Sequence, residues 1–75
     1  MIRYKINVIE ELSKRGYTSP VIREKKVLSQ STLQHIRTGK PITTESLNII
    51  CLILRMQPGD IIEVVPTDEE KIKYF

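Results

Sequence analysis

The stretch Ser29–Lys40 reads Ser-Gln-Ser-Thr-Leu-Gln-His-Ile-Arg-Thr-Gly-Lys and predicts one short helix with a clear start and a clear stop. Ser29 suits the N-cap, because its hydroxyl can accept a hydrogen bond from a free backbone N–H of the first turn. Gly39 suits the left-handed position that follows a helix, and Pro41 prevents any continuation. We therefore predict a helix over Gln30–Thr38, the third along the chain.

This third helix is predicted to have two unlike faces. At 100° per residue, Leu33 and Ile36 fall together on one side. The opposite side has no acid and no large apolar group, only short or medium polar side chains, namely Ser31, Gln34, His35 and Thr38. Such a face can donate and accept hydrogen bonds, and it suits the reading of base edges in a DNA groove. A solvated helix face that happens to lack charge would show the same pattern, so both interpretations stay open at this point.

The chain has 75 residues, enough for one small domain and too few for a separate catalytic domain. Its net charge of +3 is unevenly distributed. Residues 1–40 hold nine basic and three acidic side chains, whereas residues 41–75 hold three basic and six acidic ones. The basic half contains the third helix, which favours a polyanionic partner, although an ordinary solvated surface can show this asymmetry too.

Several classes of function lack the residues that they need. Cys51 is the only cysteine and His35 the only histidine, so neither a metal site nor a histidine-based catalytic site is predicted. Gly16, Gly39 and Gly59 are far apart and each marks a turn, so no phosphate-binding loop is predicted. There is no apolar run long enough for a membrane span and no signal-peptide core. We expect a cytoplasmic, non-enzymatic protein with no cofactor, no metal, no membrane association and no small-molecule ligand.

Three more helices are predicted from apolar periodicity, caps and stops. They cover about Asn7–Arg15, about Pro20–Lys25, and a segment from Thr43 or Thr44 to near Arg55. The last of these is apolar on nearly all sides, so we expect it to be central or to lie at a subunit contact. The second and third helices are separated only by Lys26–Ser29, which is the plan of a helix-turn-helix.

The two ends of the chain are predicted to meet. Asp60–Val65 is the best strand candidate, because it is rich in Ile and Val and is closed by Pro66. An alternative is that a single helical turn over Pro58–Ile61 comes first and the strand follows it. The natural partner of the strand is Ile2–Tyr4. Thr67–Phe75 is polar and acidic at its start, and we expect a frayed or partly helical tail.

Residues 5–56 resemble the Cro/CI-type (XRE-family) helix-turn-helix domain of phage repressors and small bacterial regulators. The resemblance rests on Ser29–Lys40, on the Pro-Ile-Thr-Thr-Glu-Ser-Leu run at Pro41–Leu47, and on Met-Gln-Pro-Gly-Asp-Ile-Ile-Glu at Met56–Glu63. The segment Met56–Glu63 is similar to the C-terminal end of the domain in a short, single-domain subclass of the family. In the family a small residue is usual in the second helix and glycine in the turn. This chain has Ile22-Arg23-Glu24 and Lys26-Val27 there, which bears on the angle between the two helices.

The resemblance implies an all-α fold, a compact lambda-repressor-like domain of five short helices, with a small strand pair joining the termini. The domain would cover residues 1–66 and the tail residues 67–75. It also implies base-reading side chains at the start and on the next turn of the third helix, namely Gln30, Ser31, Gln34 and His35. Phosphate contacts would come from Thr18, Ser19, Arg23, Lys25, Lys26, Thr38 and Lys40.

Each of these roles has a plainer alternative. Gln30 and Ser31 could cap the first turn of the helix, and the lysines and His35 could simply be exposed. Arg37 lies between the inner and outer faces, where it could form a bridge within the domain or reach the DNA backbone.

The function implied by the resemblance is that of a sequence-specific transcriptional regulator, most simply a repressor. It would bind double-stranded DNA as a homodimer, with the third helix in the major groove. The alternative is a protein-interaction module of the same fold, such as an antitoxin-like partner, that uses the apolar fourth helix and the Ile-Val strand.

Overall fold

The computed structural model describes all 75 residues, which form six helices and two short strands. The chain runs through β1 (Ile2–Tyr4), α1 (Val8–Lys14), α2 (Ser19–Lys25), α3 (Gln30–Arg37) and α4 (Thr44–Leu54). It continues through α5 (Pro58–Ile61), β2 (Ile62–Val64) and α6 (Asp68–Tyr74). The fold is therefore mainly α-helical with a helix-turn-helix formed by α2 and α3, which confirms the predicted fold class.

Local signals in the sequence set the ends of the helices. Ser29 Oγ accepts a hydrogen bond from the Thr32 backbone N–H at 3.1 Å, and this bond caps α3. Thr43 caps α4 in the same way. Gly16 and Gly39 adopt φ angles of 85° and 73° where the chain leaves α1 and α3. These conformations strain any side chain, which explains why glycine stands at both stops. The predicted bounds of the four helices are confirmed to within one residue.

A single apolar core joins the first five helices. Nine side chains are buried in it: Val8, Leu12, Ile22, Leu28, Leu33, Ile36, Ile50, Leu54 and Ile61. Leu33 and Ile36 belong to α3 and are 0% and 7% exposed. Their burial places the opposite side of α3 in solvent, as the periodicity predicted.

The two termini meet in an antiparallel pair of strands, as predicted. Ile2 lies opposite Val64, Arg3 opposite Glu63, and Tyr4 opposite Ile62. Tyr4 Oη also donates a hydrogen bond to the Lys40 carbonyl oxygen at 2.9 Å, which ties the sheet to the end of α3. The predicted helical turn over Pro58–Ile61 is confirmed as α5, and the predicted strand over Asp60–Val65 is two residues too long at its start and one at its end. Asp60 and Ile61 belong to the helical turn α5, where the Asp60 carboxylate accepts from the Gln57 backbone N–H at 3.0 Å.

The five predicted helices are α1–α5, and the tail, predicted to be frayed or partly helical, forms a sixth helix, α6. Thr67 Oγ1 accepts from the Glu70 N–H, and the Glu70 carboxylate accepts from the Thr67 N–H, which together make a capping box. The Met1 ammonium donates a further hydrogen bond to this carboxylate, and this bond holds the pKa of the Glu70 carboxyl below its usual value. None of the residues of α6 is buried. The capping box and the contact with the Met1 ammonium, and not apolar packing, therefore order this segment.

The apolar character of α4 is divided between a buried and an exposed side. Leu54 is 2% exposed, whereas Leu52 on the same helix is 69% exposed. None of the helices is both long and apolar enough to cross a membrane.

Leu54→Ala and Leu52→Ala form a matched pair that tests this packing. We expect Leu54→Ala to lower the free energy of unfolding by about 2–5 kcal/mol, because it leaves a cavity in the core. Leu52→Ala should change the free energy of unfolding of the monomer by less than about 0.5 kcal/mol, because the side chain lies in solvent in the single chain. Urea denaturation of both variants gives the comparison, and equal losses would contradict the packing described for α4.

Candidate nucleic-acid interface

The outward side of α3 holds the four predicted base-reading residues. Gln30, Ser31, Gln34 and His35 are all exposed. None of their side chains makes a hydrogen bond within the chain, and the first turn is capped by Ser29 instead. The capping alternative for Gln30 and Ser31 is therefore not what the structure shows. The four side chains keep their donors and acceptors for an external group.

The start of α2 lies beside the end of α3. Thr18 is the N-cap of α2, and its exposed hydroxyl makes no capping hydrogen bond. The next residue, Ser19, accepts a hydrogen bond from Arg37 Nη2 at an N–O distance of 2.6 Å. Of the two alternatives for Arg37, the structure shows a bridge within the domain. The bridge ends on a neutral hydroxyl and not on a carboxylate.

The predicted phosphate contacts of α2 are cations without an ionic partner. Arg23, Lys25 and Lys26 are exposed, and none has a carboxylate oxygen within salt-bridge distance. Ion pairs occur elsewhere, as where Lys14 Nζ lies 3.3 Å from a carboxylate oxygen of Glu11. Between residues 18 and 40 the chain has five basic side chains and one acidic side chain. The surface around α2 and α3 therefore carries an excess of positive charge that no internal carboxylate neutralises.

A shallow cleft of about 330 Å³ lies at the turn between α2 and α3. Arg23 and Lys26 line it together with Leu28, Ser29 and Gln30. Two predicted phosphate contacts and one predicted base-reading residue are thus next to each other. An anionic ligand in the cleft would meet cations on one side and the first turn of α3 on the other.

Thr38 and Lys40 lie at the opposite end of α3. Thr38 Oγ1 donates a hydrogen bond to the Gln34 carbonyl oxygen at 2.9 Å. A phosphate oxygen can only accept hydrogen bonds, so it would have to compete with this carbonyl for the hydroxyl proton. Lys40 follows Gly39 and is exposed, with no carboxylate partner for its ammonium group. Of the two, Lys40 is better placed for a phosphate contact.

The turn between α2 and α3 has Lys26 at a left-handed position where glycine is usual. Lys26 has φ 54° and ψ 38°, a left-handed conformation that favours glycine. The backbone N–H groups of Lys26 and Val27 donate to the carbonyl oxygens of Arg23 and Ile22, which closes the end of α2. The lysine therefore adopts the left-handed backbone conformation for which glycine is usual.

A family model described as the Cro/C1-type HTH DNA-binding domain matches residues 6–67. The matched segment runs from the residues before α1 to the N-cap of α6 and includes all of the predicted interface residues. No curated protein and no solved structure matches the chain.

Adjacent lysines should respond in opposite ways to substitution by glycine. Lys26→Gly relieves a left-handed strain of about 1–2 kcal/mol and adds about 0.5–1 kcal/mol of backbone entropy to the unfolded chain. We therefore expect it to leave the free energy of unfolding unchanged or to raise it by up to about 1 kcal/mol. Lys25→Gly lies within α2 and should lower it by about 1 kcal/mol. Thermal or urea unfolding measures both, and a clear loss for Lys26→Gly would contradict the strain argument.

Proposed function

This chain belongs to the family of Cro/C1-type helix-turn-helix DNA-binding domains, and from that premise we propose that it is a sequence-specific transcriptional repressor. In this proposal α3 lies in the major groove of double-stranded DNA, and α2 crosses above it toward the phosphates. The observation that carries the proposal is the outward side of α3, where four exposed polar side chains have no hydrogen-bond partner within the chain. Repression would follow from occupancy, because bound protein excludes other proteins from the same DNA.

The chemistry of these side chains fits base edges. Gln30 and Gln34 each present an amide that can bond two edge atoms of one adenine, N6 and N7, at the same time. Ser31 can donate or accept, and His35 can do either through its two ring nitrogens. The unpaired cations of α2 would neutralise phosphates beside the groove, which supplies affinity that does not depend on base sequence.

We also propose that the protein binds as a homodimer to a two-fold symmetric site. Half-sites would then lie about one helical turn of DNA apart. Exposed apolar side chains away from α3 support this proposal, since Leu52 is 69% and Val64 68% exposed. Leu52 lines a groove between α4 and α5 together with Leu47, Met56 and Pro58. Burial of this surface against a second copy would leave both α3 helices free for DNA.

The same apolar surface favours a second candidate, a module that binds another protein. An antitoxin-like partner would use the groove beside α4 and the exposed end of β2. Against it stands the surface of α3, which has no aromatic or aliphatic anchor of the kind that dominates protein interfaces. The two candidates differ in whether isolated protein retains DNA.

Selection from a pool of random duplexes tests the proposed function directly. We expect purified protein at low salt to enrich duplexes that share a two-fold symmetric sequence. The enriched sequence then serves as the cognate duplex in the measurements below. If the protein retains no duplex at any concentration at low salt, the protein-interaction candidate is favoured.

Gln30→Ala tests base reading by α3. We expect it to weaken binding to the cognate duplex by about 1–3 kcal/mol, because a bidentate contact to a base is lost. Binding to random duplex should stay nearly unchanged, because Gln30 carries no charge. Fluorescence anisotropy titrations measure the ratio of the affinities for the cognate and the random duplex. An equal loss of affinity for both duplexes would contradict the base-reading role.

Lys25→Ala combined with Lys26→Ala tests the phosphate contacts of α2. Affinity for cognate and random duplex should fall together, and the slope of log affinity against log salt should become shallower by about four units, two for each copy of the proposed dimer. Lys71→Ala combined with Lys73→Ala is the matched control, because these lysines have the same charge but lie on α6. An unchanged slope for the α2 variant, or the same change for both variants, would rule out a specific role for Lys25 and Lys26.

A further inference from the structure

We propose that Arg37 and Ser19 together form a phosphate-binding pair at the junction of α2 and α3. This inference rests on the proposed DNA binding. It assigns to Arg37 a phosphate contact, which the sequence left as one of two alternatives. Arg37 Nη2 donates to Ser19 Oγ at 2.6 Å, and this is the one side-chain hydrogen bond in the chain that joins two helices. It holds two potential donors to a ligand side by side.

The hydrogen bond orients the Ser19 hydroxyl. A hydroxyl has one proton to donate, and Ser19 Oγ here accepts from a cationic donor, so its own proton must point away from Arg37. No acceptor within the chain takes this proton through a side-chain hydrogen bond. A guanidinium donor also polarises the hydroxyl and makes it a stronger donor in turn. Ser19 thus presents a fixed donor at the surface.

The guanidinium of Arg37 keeps most of its binding capacity. It has five N–H groups, of which the bond to Ser19 uses one. Arg37 is exposed, and it forms no ion pair with a carboxylate in this chain. An uncompensated planar cation beside an oriented hydroxyl matches a ligand that is anionic and only accepts hydrogen bonds. A phosphodiester oxygen of the DNA backbone is such a ligand.

The position of Arg37 on α3 fits this assignment. Arg37 lies seven residues after Gln30, and seven residues at 100° each bring it to within about 20° of the same edge of the helix. The edge therefore has Gln30 and the cationic cleft at its N-terminal end and the Arg37–Ser19 pair at its C-terminal end. With α3 in the major groove, the cations of the cleft would hold one phosphate beside the bases that Gln30 contacts, and the Arg37–Ser19 pair would hold a second phosphate at the other end of the helix.

A double-mutant cycle on the full chain tests the pair, with cognate and random duplexes titrated at several salt concentrations. We expect Arg37→Gln to weaken binding to both duplexes about tenfold and to make the salt slope shallower by about two units, one for each copy of the proposed dimer. Ser19→Ala should weaken binding without changing the slope, because it removes no charge. The double variant should lose less than the product of the two single losses, since each residue acts through the other.

Two further variants sharpen the experiment. Arg37→Lys keeps the charge but not the planar fork, so it should restore the slope and abolish the coupling to Ser19→Ala. Lys71→Gln is the charge-matched control, because Lys71 is exposed on α6 and has no carboxylate partner. Its slope should equal that of the unaltered protein.

The possible results separate this site from the function on which it rests. If Arg37→Gln lowers thermal stability and the cognate-to-random ratio but leaves the slope unchanged, Arg37 only positions the helices and the phosphate site is overturned. If Arg37→Gln changes the salt slope but its loss of affinity adds fully to that of Ser19→Ala, the two residues act separately and the proposed pair is overturned. If the unaltered protein binds no duplex at all, the proposed function fails and the site fails with it.

Discussion

The burial of Leu33 and Ile36 is the constraint on which the functional surface of this protein depends. Both side chains lie in the same core as Leu12 of α1 and Ile50 of α4. Because an α-helix turns 100° per residue, fixing two inward positions fixes every outward position as well. A rotation of α3 by one residue would replace the whole set of polar side chains that faces solvent. The chemistry offered to DNA is therefore set by apolar packing on the other side of the helix.

The outward side chains contribute little to folding, which leaves them available for binding. Other residues form the hydrogen bonds that stabilise the fold around α3. Ser29 caps the helix, and Tyr4 donates to the Lys40 carbonyl oxygen. The charges are divided in a similar way. Residues 41–75 have an excess of acidic side chains, whereas the bases around α2 and α3 have no carboxylate partners. A polyanion would be attracted to the α2–α3 side and repelled by the acidic side chains of residues 41–75, so the charge pattern itself favours one orientation.

The sequence predicted those features that depend on neighbouring residues. Caps at Ser29 and Thr43 and stops at Gly16 and Gly39 placed the helices to within one residue, because these signals act over three or four positions. The tail was less well predicted, although the Thr-Asp-Glu-Glu string at Thr67–Glu70 has the pattern of a capping box. The hydrogen bond between Arg37 and Ser19 could not be predicted in this way. It joins residues 18 positions apart and depends on how two helices pack.

Lys26 is the position where local backbone preference and surface charge conflict. Its left-handed conformation costs a side chain about 1 kcal/mol or more, and glycine would avoid that cost. Glycine would also remove a cation from the cleft that Lys26 shares with Arg23 and Gln30. Arg55 has the same backbone strain at the end of α4, outside the proposed interface. Strain at such a site is therefore not in itself a sign of function. At Lys26 the case for function comes from its neighbours in the cleft, because only there does the strained side chain add charge to a surface that already has an unpaired arginine and a free glutamine.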